Sequence, residues 1–464
     1  MHYLKLVLII SYFLVLGTLA MYGLHRCALL WLYYRYKAKK PVAPGTTPRL
    51  PRVTVQLPVY NECNVVERLL TAIGNMEYPR ESLEVQVLDD SDDETREAAR
   101  GGAERLRQAG LNITYAHRSG RTGFKAGALA EGLKAASGEL IAVFDADFVP
   151  PKDFLQRVVP FFADPAVGMV QARWEHLNRD DSLLTKAQAI LLDGHFQIEH
   201  TARYGSGRFF NFNGSAGVWR KEAILAAGGW QGDTLTEDLD ISYRAQLAGW
   251  RFVYLPDVAV PAELPVEMSA FQSQQHRWVK GMTQTAKRLL PRIWRAALPL
   301  QVKVEATLHL GTGLVYVFMA LLSLMVFPAF WARGATAGAV ALVDLPLFAL
   351  ALGSASLFYV AAQREICGDW RALKFLPLLT LVAIGISASN AQGVIEGLFG
   401  RMGTFVRTPK RGYASRANGF RALGLCFTAY IVVMIMVAIP AHCCVAIPFL
   451  LTFLAGCVYV ATAR

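Results

Sequence analysis

Hydrophobicity along this chain comes in two textures. Residues 6–24, 306–332, 422–441 and 443–463 carry no Asp, Glu, Lys or Arg. Each run approaches or exceeds the roughly 20 residues that span a bilayer. One run of this kind could be a buried core helix; four imply membrane spans. Residues 50–300 are different, with charge throughout and short alternating segments. Val53-Thr-Val-Gln-Leu57 reads as a strand, followed by Asn61 and a helical run from Val65. Residues 83–88 alternate and stop at Asp89-Asp90, and residues 140–144 form an apolar strand ending at Asp145. Strands separated by helices predict a largely parallel sheet covered on both faces. Ligands of such sheets bind at the carboxyl ends of the strands, where this chain places acids.

The first apolar run is too long for a signal peptide core and lacks a small-residue cleavage site, so we expect an uncleaved anchor over 1–34. A basic, proline-rich linker follows over 35–51, with Arg35, Lys37, Lys39, Lys40 and Arg49. The positive-inside rule puts this linker and the domain after it, 52–299, in the cytoplasm. A membrane region over 300–464 completes the chain, with spans at 306–332 and about 345–363. Residues 375–395 are uncharged and long enough to cross. Crossing would carry Arg401, Arg407, Lys410, Arg411 and Arg416 outside, against the charge rule. Ser387, Ser389, Asn390 and Gln392 also interrupt the segment, so a re-entrant or interfacial element at 373–400 is expected, followed by a cytoplasmic loop at 401–416. This gives five spans; six remains the alternative.

Composition agrees. The chain of 464 residues is 53% hydrophobic, with mean hydropathy +0.30. Its net charge of +11 borders the membrane segments, which argues for a lipid surface and against nucleic acid. The seven cysteines form no CxxC pair, so neither a zinc site nor a disulfide framework is indicated. His195 and His200 are five apart and miss the HExxH arrangement, which argues against zinc there too.

The acids can do more than cap helices. Asp92 and Asp93 suit a turn, whereas Asp89 and Asp90 at a strand tip can accept from a base N–H or a ribose hydroxyl. Asp145-Ala-Asp147, at another strand end, can share a hard divalent cation such as Mg2+ or Mn2+. Thr236-Glu237-Asp238 opens a helix; Asp238 is either capping chemistry or a general base. Gln274-Gln-His-Arg277-Trp278 sets a guanidinium, suited to diphosphate, beside an indole that can stack on a sugar or anchor at the bilayer surface.

These strings, with Gln56-Leu-Pro-Val-Tyr-Asn-Glu62, Gln86-Val-Leu-Asp-Asp-Ser91, Lys125-Ala-Gly-Ala-Leu129, Phe144-Asp-Ala-Asp-Phe148 and Asn211-Phe-Asn-Gly-Ser-Ala-Gly217, occur in the order found in a known family. The chain resembles the family-2 membrane glycosyltransferases, cellulose-synthase-like, of the glucomannan (mannan) and xyloglucan-backbone synthase type. The resemblance implies an α/β GT-A domain, Rossmann-like with a mixed sheet, inserted between transmembrane helices. It implies a multi-pass inner (plasma) membrane enzyme with a cytoplasmic catalytic domain. A hexose would pass with inversion from a UDP- or GDP-hexose to a growing β-linked glycan, processively and with export. By motif, Tyr60, Glu62, Asp89, Asp90, Lys125, Asp145 and Arg277 would hold the donor, and Asp147 the metal. Asn213, Gly214, Ser215, Glu237, Gln274 and Trp278 would face the acceptor, and Asp238 would be the base. Phe405, Arg407, Thr408 and Lys410 resemble a gating loop. Envelope partner proteins would fit such an exporter, although no residue specifies one. Other relatives add single sugars to a lipid of ceramide or diacylglycerol type, and that alternative stays open beside an inactive scaffold, against which the intact acids argue.

Overall fold

The computed structural model describes residues 2–43, 50–400 and 420–463. Its centre is a seven-stranded sheet in the order β3-β2-β1-β4-β6-β5-β7. The strands are β1 Val53–Val59, β2 Leu83–Asp89, β3 Asn112–His117, β4 Leu140–Val143, β5 Val167–His176, β6 Gly217–Arg220 and β7 Arg251–Ala262. β1 pairs in parallel with β2 and β4, β2 with β3, and β5 with β7. β6 runs against both neighbours, so the sheet is mixed.

Strand alternation explains how the sheet is covered. Val53, Val55, Leu57 and Val59 of β1 join one core with Val66, Leu69 and Ile73 of helix Cys63–Gly74. Thr54 and Gln56 lie between them in sequence and are also buried. Across the sheet Thr54 Oγ1 donates to Glu84 and Gln56 Nε2 to Gln86 Oε1 at 2.9 Å. A second core, on Phe212, Trp219 and Ile241, fills the other side.

Among the described residues, four helices are long and apolar enough to cross a membrane: His2–Tyr36, Leu314–Ala332, Ala337–Cys367 and Cys444–Thr462. Two differences from expectation have local causes. The run at 306–332 is not one helix. Helix Leu300–Leu310 ends at Gly311, and helix Leu314–Ala332 starts after Gly313, so the apolar span begins later. The expected span at 422–441 is the shorter apolar helix Ala422–Ala438. The 375–395 segment is broken: Arg371–Gly385 and Ser387–Phe399 meet at 44°.

The anchor helix is tied to the sheet domain by buried charge. Arg203, 1% exposed, donates from Nε to Glu305 Oε1 and from Nη1 to Glu199 Oε2, both at 3.0 Å. His25 of the anchor lies 3.1 Å from both Glu305 oxygens. Asp193 joins the far end of the domain to the membrane, accepting from Gln363 Nε2 at 2.7 Å and pairing with Arg179 at 2.7 Å. Removing one partner of such a cluster strands the others without compensation. Arg203→Ala is expected to cost about 3–5 kcal/mol, read as a large fall in apparent Tm of the detergent-solubilised protein. An unchanged Tm would show that the cluster does not hold the two halves together.

Candidate active site

The loops after β1, β2 and β4 form one wall. Tyr60 follows β1, and the Arg121 guanidinium lies over its ring, 3.2 Å from the centroid. Glu62 precedes helix Cys63–Gly74 and lines the same cleft. Asp90 accepts from Arg118 Nε at 2.7 Å and Nη2 at 2.6 Å. Asp89 is a correction to the sequence expectation. It is fully buried, accepts from Tyr115 Oη at 2.6 Å and from the Ser91 amide at 2.9 Å, and does not line the cleft. Successive strand residues face opposite ways, so of two adjacent acids only Asp90 reaches the cavity.

After β4, Asp145 and Asp147 both line the cleft. Lys125, in the first turn of helix Phe124–Ala135, reaches Asp145 Oδ1 at 2.6 Å and the Gly214 carbonyl at 2.8 Å. Burial alone would depress the Lys125 ammonium. The Asp145, Glu237 and Asp238 carboxylates instead hold its pKa above the ordinary lysine value. Asn213 and Gly214 face the cavity as expected. Ser215 does not: it is fully buried, with Oγ accepting from the Asp145 amide at 3.0 Å. It fixes the Asp145 backbone instead of facing an acceptor.

Thr236 precedes helix Glu237–Leu247, yet its side chain makes no capping bond. Its hydroxyl pairs with Thr285 Oγ1 at 3.2 Å. Glu237 and Asp238 in the first turn both line the cleft. Burial, then the Glu237 charge beside it, pushes the Asp238 carboxyl up to about 7, against the pull of Lys125, the Leu239 amide and Arg277. Gly214 sits against this carboxylate with φ +82°, and a Cβ there would come 3.0 Å from Asp238 Oδ2 and 3.3 Å from Lys125 Nζ.

Helix Met268–Arg295 supplies the opposite wall. Gln274, Arg277 and Trp278, at helical spacing, all line the cleft. Arg277 has its pKa drawn below the usual arginine value by burial, while Glu237, Asp238 and Asp145 favour its charge. The same helix grips the Asp238 loop. Gln284 Oε1 accepts from the Leu235 amide at 3.0 Å, Arg288 pairs with Asp233 at 3.0 Å, and Gly281 allows Thr236 to approach so closely that a Cβ would meet its amide at 2.8 Å.

Residues 51–281 match the model of the family described as glycosyltransferase like family 2. Two curated relatives carry the same kind of chain. Glucomannan 4-beta-mannosyltransferase 1 of Oryza sativa subsp. japonica is 44% identical over 254 residues, covering 54% of this chain and 49% of the relative. Glucomannan 4-beta-mannosyltransferase 7 of Arabidopsis thaliana is 39% identical over 269 residues, covering 57% and 48%. The domain belongs to glycosyltransferase family 2. This chain spans about half the length of the curated relatives it matches. The fold resembles mannosyltransferase PcManGT of Pyrobaculum calidifontis, solved with GDP-Man and Mn2+, at TM-score 0.57 and 24% identity, over 82% of this chain and 99% of that one. The sheet and its helices are therefore the GT-A fold expected from the sequence.

The two walls enclose a cleft of about 440 Å3. It runs from Tyr60 and Asp90 past Asp145, Asp147 and Asp238 to Trp278, and on to Tyr316 and Tyr359 of the membrane helices. Sequence reasoning missed several of its contributors. Arg121, after β3, lines the cleft, and Arg118 reaches the site only through Asp90. His195 was set aside on spacing, although it lines the cleft. Tyr316 and Tyr359 lay hidden in apolar runs. Phe405, Arg407, Thr408 and Lys410 lie outside the described residues.

Gly214→Ala is expected to cut turnover on the order of 100-fold, because a displacement of about 1 Å at the reacting groups costs that much. The strained positive φ and the contact with Asp238 both oppose a side chain there. Near wild-type rates with Gly214→Ala would show that this loop does not set the position of Asp238.

Proposed function

We propose that this protein is an inverting membrane hexosyltransferase that extends a β-linked polysaccharide from a nucleotide-diphosphate sugar and exports it. The observation carrying this reading is the half-buried Asp238 carboxyl, its pKa raised to about 7, in one cleft with Arg277 and Trp278. A base is most effective when its pKa lies near the working pH. The curated relatives named glucomannan 4-beta-mannosyltransferase favour mannose, thus a GDP-mannose donor, and a 4-linked β-mannan product.

Asp238 takes the proton from the acceptor hydroxyl. The hydroxyl oxygen bonds to the anomeric carbon as the bond to the diphosphate oxygen breaks on the opposite face, which inverts the configuration. Arg277 and Lys125 balance the negative charge gathering on the leaving diphosphate. Tyr60 and Asp90 hold the nucleoside, and Trp278 stacks on the acceptor sugar. Asp145 and Asp147 suit Mg2+ or Mn2+. Among the described residues no group of three His, Cys, Asp or Glu forms a protein cage. Two carboxylates completed by phosphate and water oxygens are the usual donor set for Mg2+. A bound ion there would neutralise part of the diphosphate charge.

The cleft reaches Tyr316 and Tyr359, which fits a product handed directly to membrane helices. The reading also assigns the sheet domain to the cytoplasmic side of the plasma membrane, with the bent pair Arg371–Gly385 and Ser387–Phe399 as a re-entrant element.

Purified full-length protein with radiolabelled GDP-mannose, UDP-glucose and UDP-N-acetylglucosamine tests the proposal. The expected product resists organic extraction and yields to a β-mannan hydrolase. A single organic-soluble product would replace it with lipid glycosylation. Asp238→Asn is expected to lower turnover about 10²–10⁴-fold with nucleotide binding intact. Asp238 works as base only when deprotonated, so the wild-type rate is expected to fall as pH drops below about 7. A rate flat from pH 8 to 5 would remove Asp238 from that role.

A further inference from the structure

Gly194–His200 winds as a π-helix between helices Leu183–Asp193 and Thr201–Gly205. In an α-helix, residues five apart point about 140° away from each other. The wider π turn, a feature frequent at functional sites, brings them onto one side. Here the His195 and His200 rings lie 4.3 Å apart, centroid to centroid.

Both rings grip one side chain. Asn213 Nδ2 is 2.9 Å from His195 Nε2, and Asn213 Oδ1 is 2.6 Å from His200 Nε2. The hydrogen-bond pattern assigns the protons. The Glu199 carboxylate can only accept, so the neutral His195 ring carries its proton on Nδ1, donated to Glu199 Oε2 at 3.0 Å, and its bare Nε2 accepts from the Asn213 NH2. The amide oxygen can only accept, so His200 carries its proton on Nε2. Burial keeps the His200 pKa well below its ordinary value, consistent with a neutral ring. Glu199 is itself held by Arg203, within the cluster that reaches the anchor helix.

The amide of Asn213 can therefore adopt one of its two flips and not the other. Its reversal would set an oxygen against the bare nitrogen of His195, which Glu199 holds in that tautomer. Asn213 lines the cleft immediately before Gly214, whose backbone is pinned by Lys125 beside Asp238. One Nδ2 hydrogen and one Oδ1 lone pair remain for a ligand. We propose that His195 and His200 are positioning residues that lock the Asn213 amide in a single orientation, presenting one donor and one acceptor to hydroxyls of the acceptor sugar. The inference rests on the transferase reading above. It adds a part of the site that acts through Asn213 and never touches the donor.

The test is a double-mutant cycle on the full chain in lipid nanodiscs, transferring labelled hexose to β-mannan oligosaccharides at varied acceptor and donor concentrations. His195→Ala and Asn213→Ala are each expected to raise the acceptor KM about tenfold, the effect of one lost hydrogen bond, with the donor KM unchanged. The double variant is expected to be no worse than Asn213→Ala. His195→Gln, whose Oε1 can accept from Asn213, is expected to recover most of the loss. Multiplicative effects in the double variant, or donor and acceptor KM rising together, would overturn the inference while leaving the transferase reading intact. If His195→Ala does not fold, His195→Phe, which keeps a ring but has no nitrogen to accept from Asn213, runs the same cycle with Asn213→Ala. Wild-type protein that transfers no hexose from any nucleotide sugar would instead sink the transferase reading itself.

Discussion

The site depends on opposite charges crowded together in a half-buried cleft. Asp145, Glu237 and Asp238 face Lys125 and Arg277 across a narrow cleft. Each is tolerable only because the others are there, since an isolated buried ion carries a penalty of several kcal/mol. The balance is uneven where it matters. Burial, with the charge of the sequence-adjacent Glu237 added to it, raises the Asp238 carboxyl to about 7. A side chain that would be an inert carboxylate in water thereby becomes a base of useful strength. The same crowding explains why Gly214, and no larger residue, sits at the centre of the cluster.

One helix does two jobs in keeping those charges in place. Met268–Arg295 carries Arg277 and Trp278 on the cleft side, while Gln284, Thr285 and Arg288 hold the loop that presents Asp238. Base and diphosphate partner are thus fixed to a common support, although 39 positions in sequence separate Asp238 from Arg277. Its third side packs on Ser387–Phe399, with Lys280 paired to Glu396 at 2.8 Å and Lys287 donating to the Leu398 carbonyl at 2.7 Å.

Much of this was legible in the residues. β1, β2 and β4 announce themselves by alternation and by acids at their ends, and the Asp238 and Arg277 strings fall on the helices expected of them. What stayed hidden is what local pattern does not encode. Alternation says that Asp89 and Asp90 face opposite ways but not which one meets the ligand; that depended on Tyr115 arriving from β3. An uncharged run says nothing of a break, so Gly311 and Gly313 shortened a span that composition alone made continuous. A five-residue histidine spacing is meaningless on an α-helix and meaningful on a π-helix, and no side-chain period announces that change of winding. β6 pairs antiparallel with β5 across a long helical excursion, a matter of topology and not of strand sequence.

The contact between Met268–Arg295 and Ser387–Phe399 uses Gly393 and Gly397, four apart, laid directly on the His276 and Lys280 carbonyls, where a Cβ would fall at 3.0 and 2.8 Å. Close approach through small residues is how membrane helices lock together. Backbone here meets backbone, flanked by the His276 ring and the Thr283 side chain. A tilt of the broken membrane pair is therefore passed to Arg277 and Trp278. Helices tilt to match the hydrocarbon thickness around them. Bilayer thickness, usually a concern of the membrane half alone, becomes a coordinate of the chemistry.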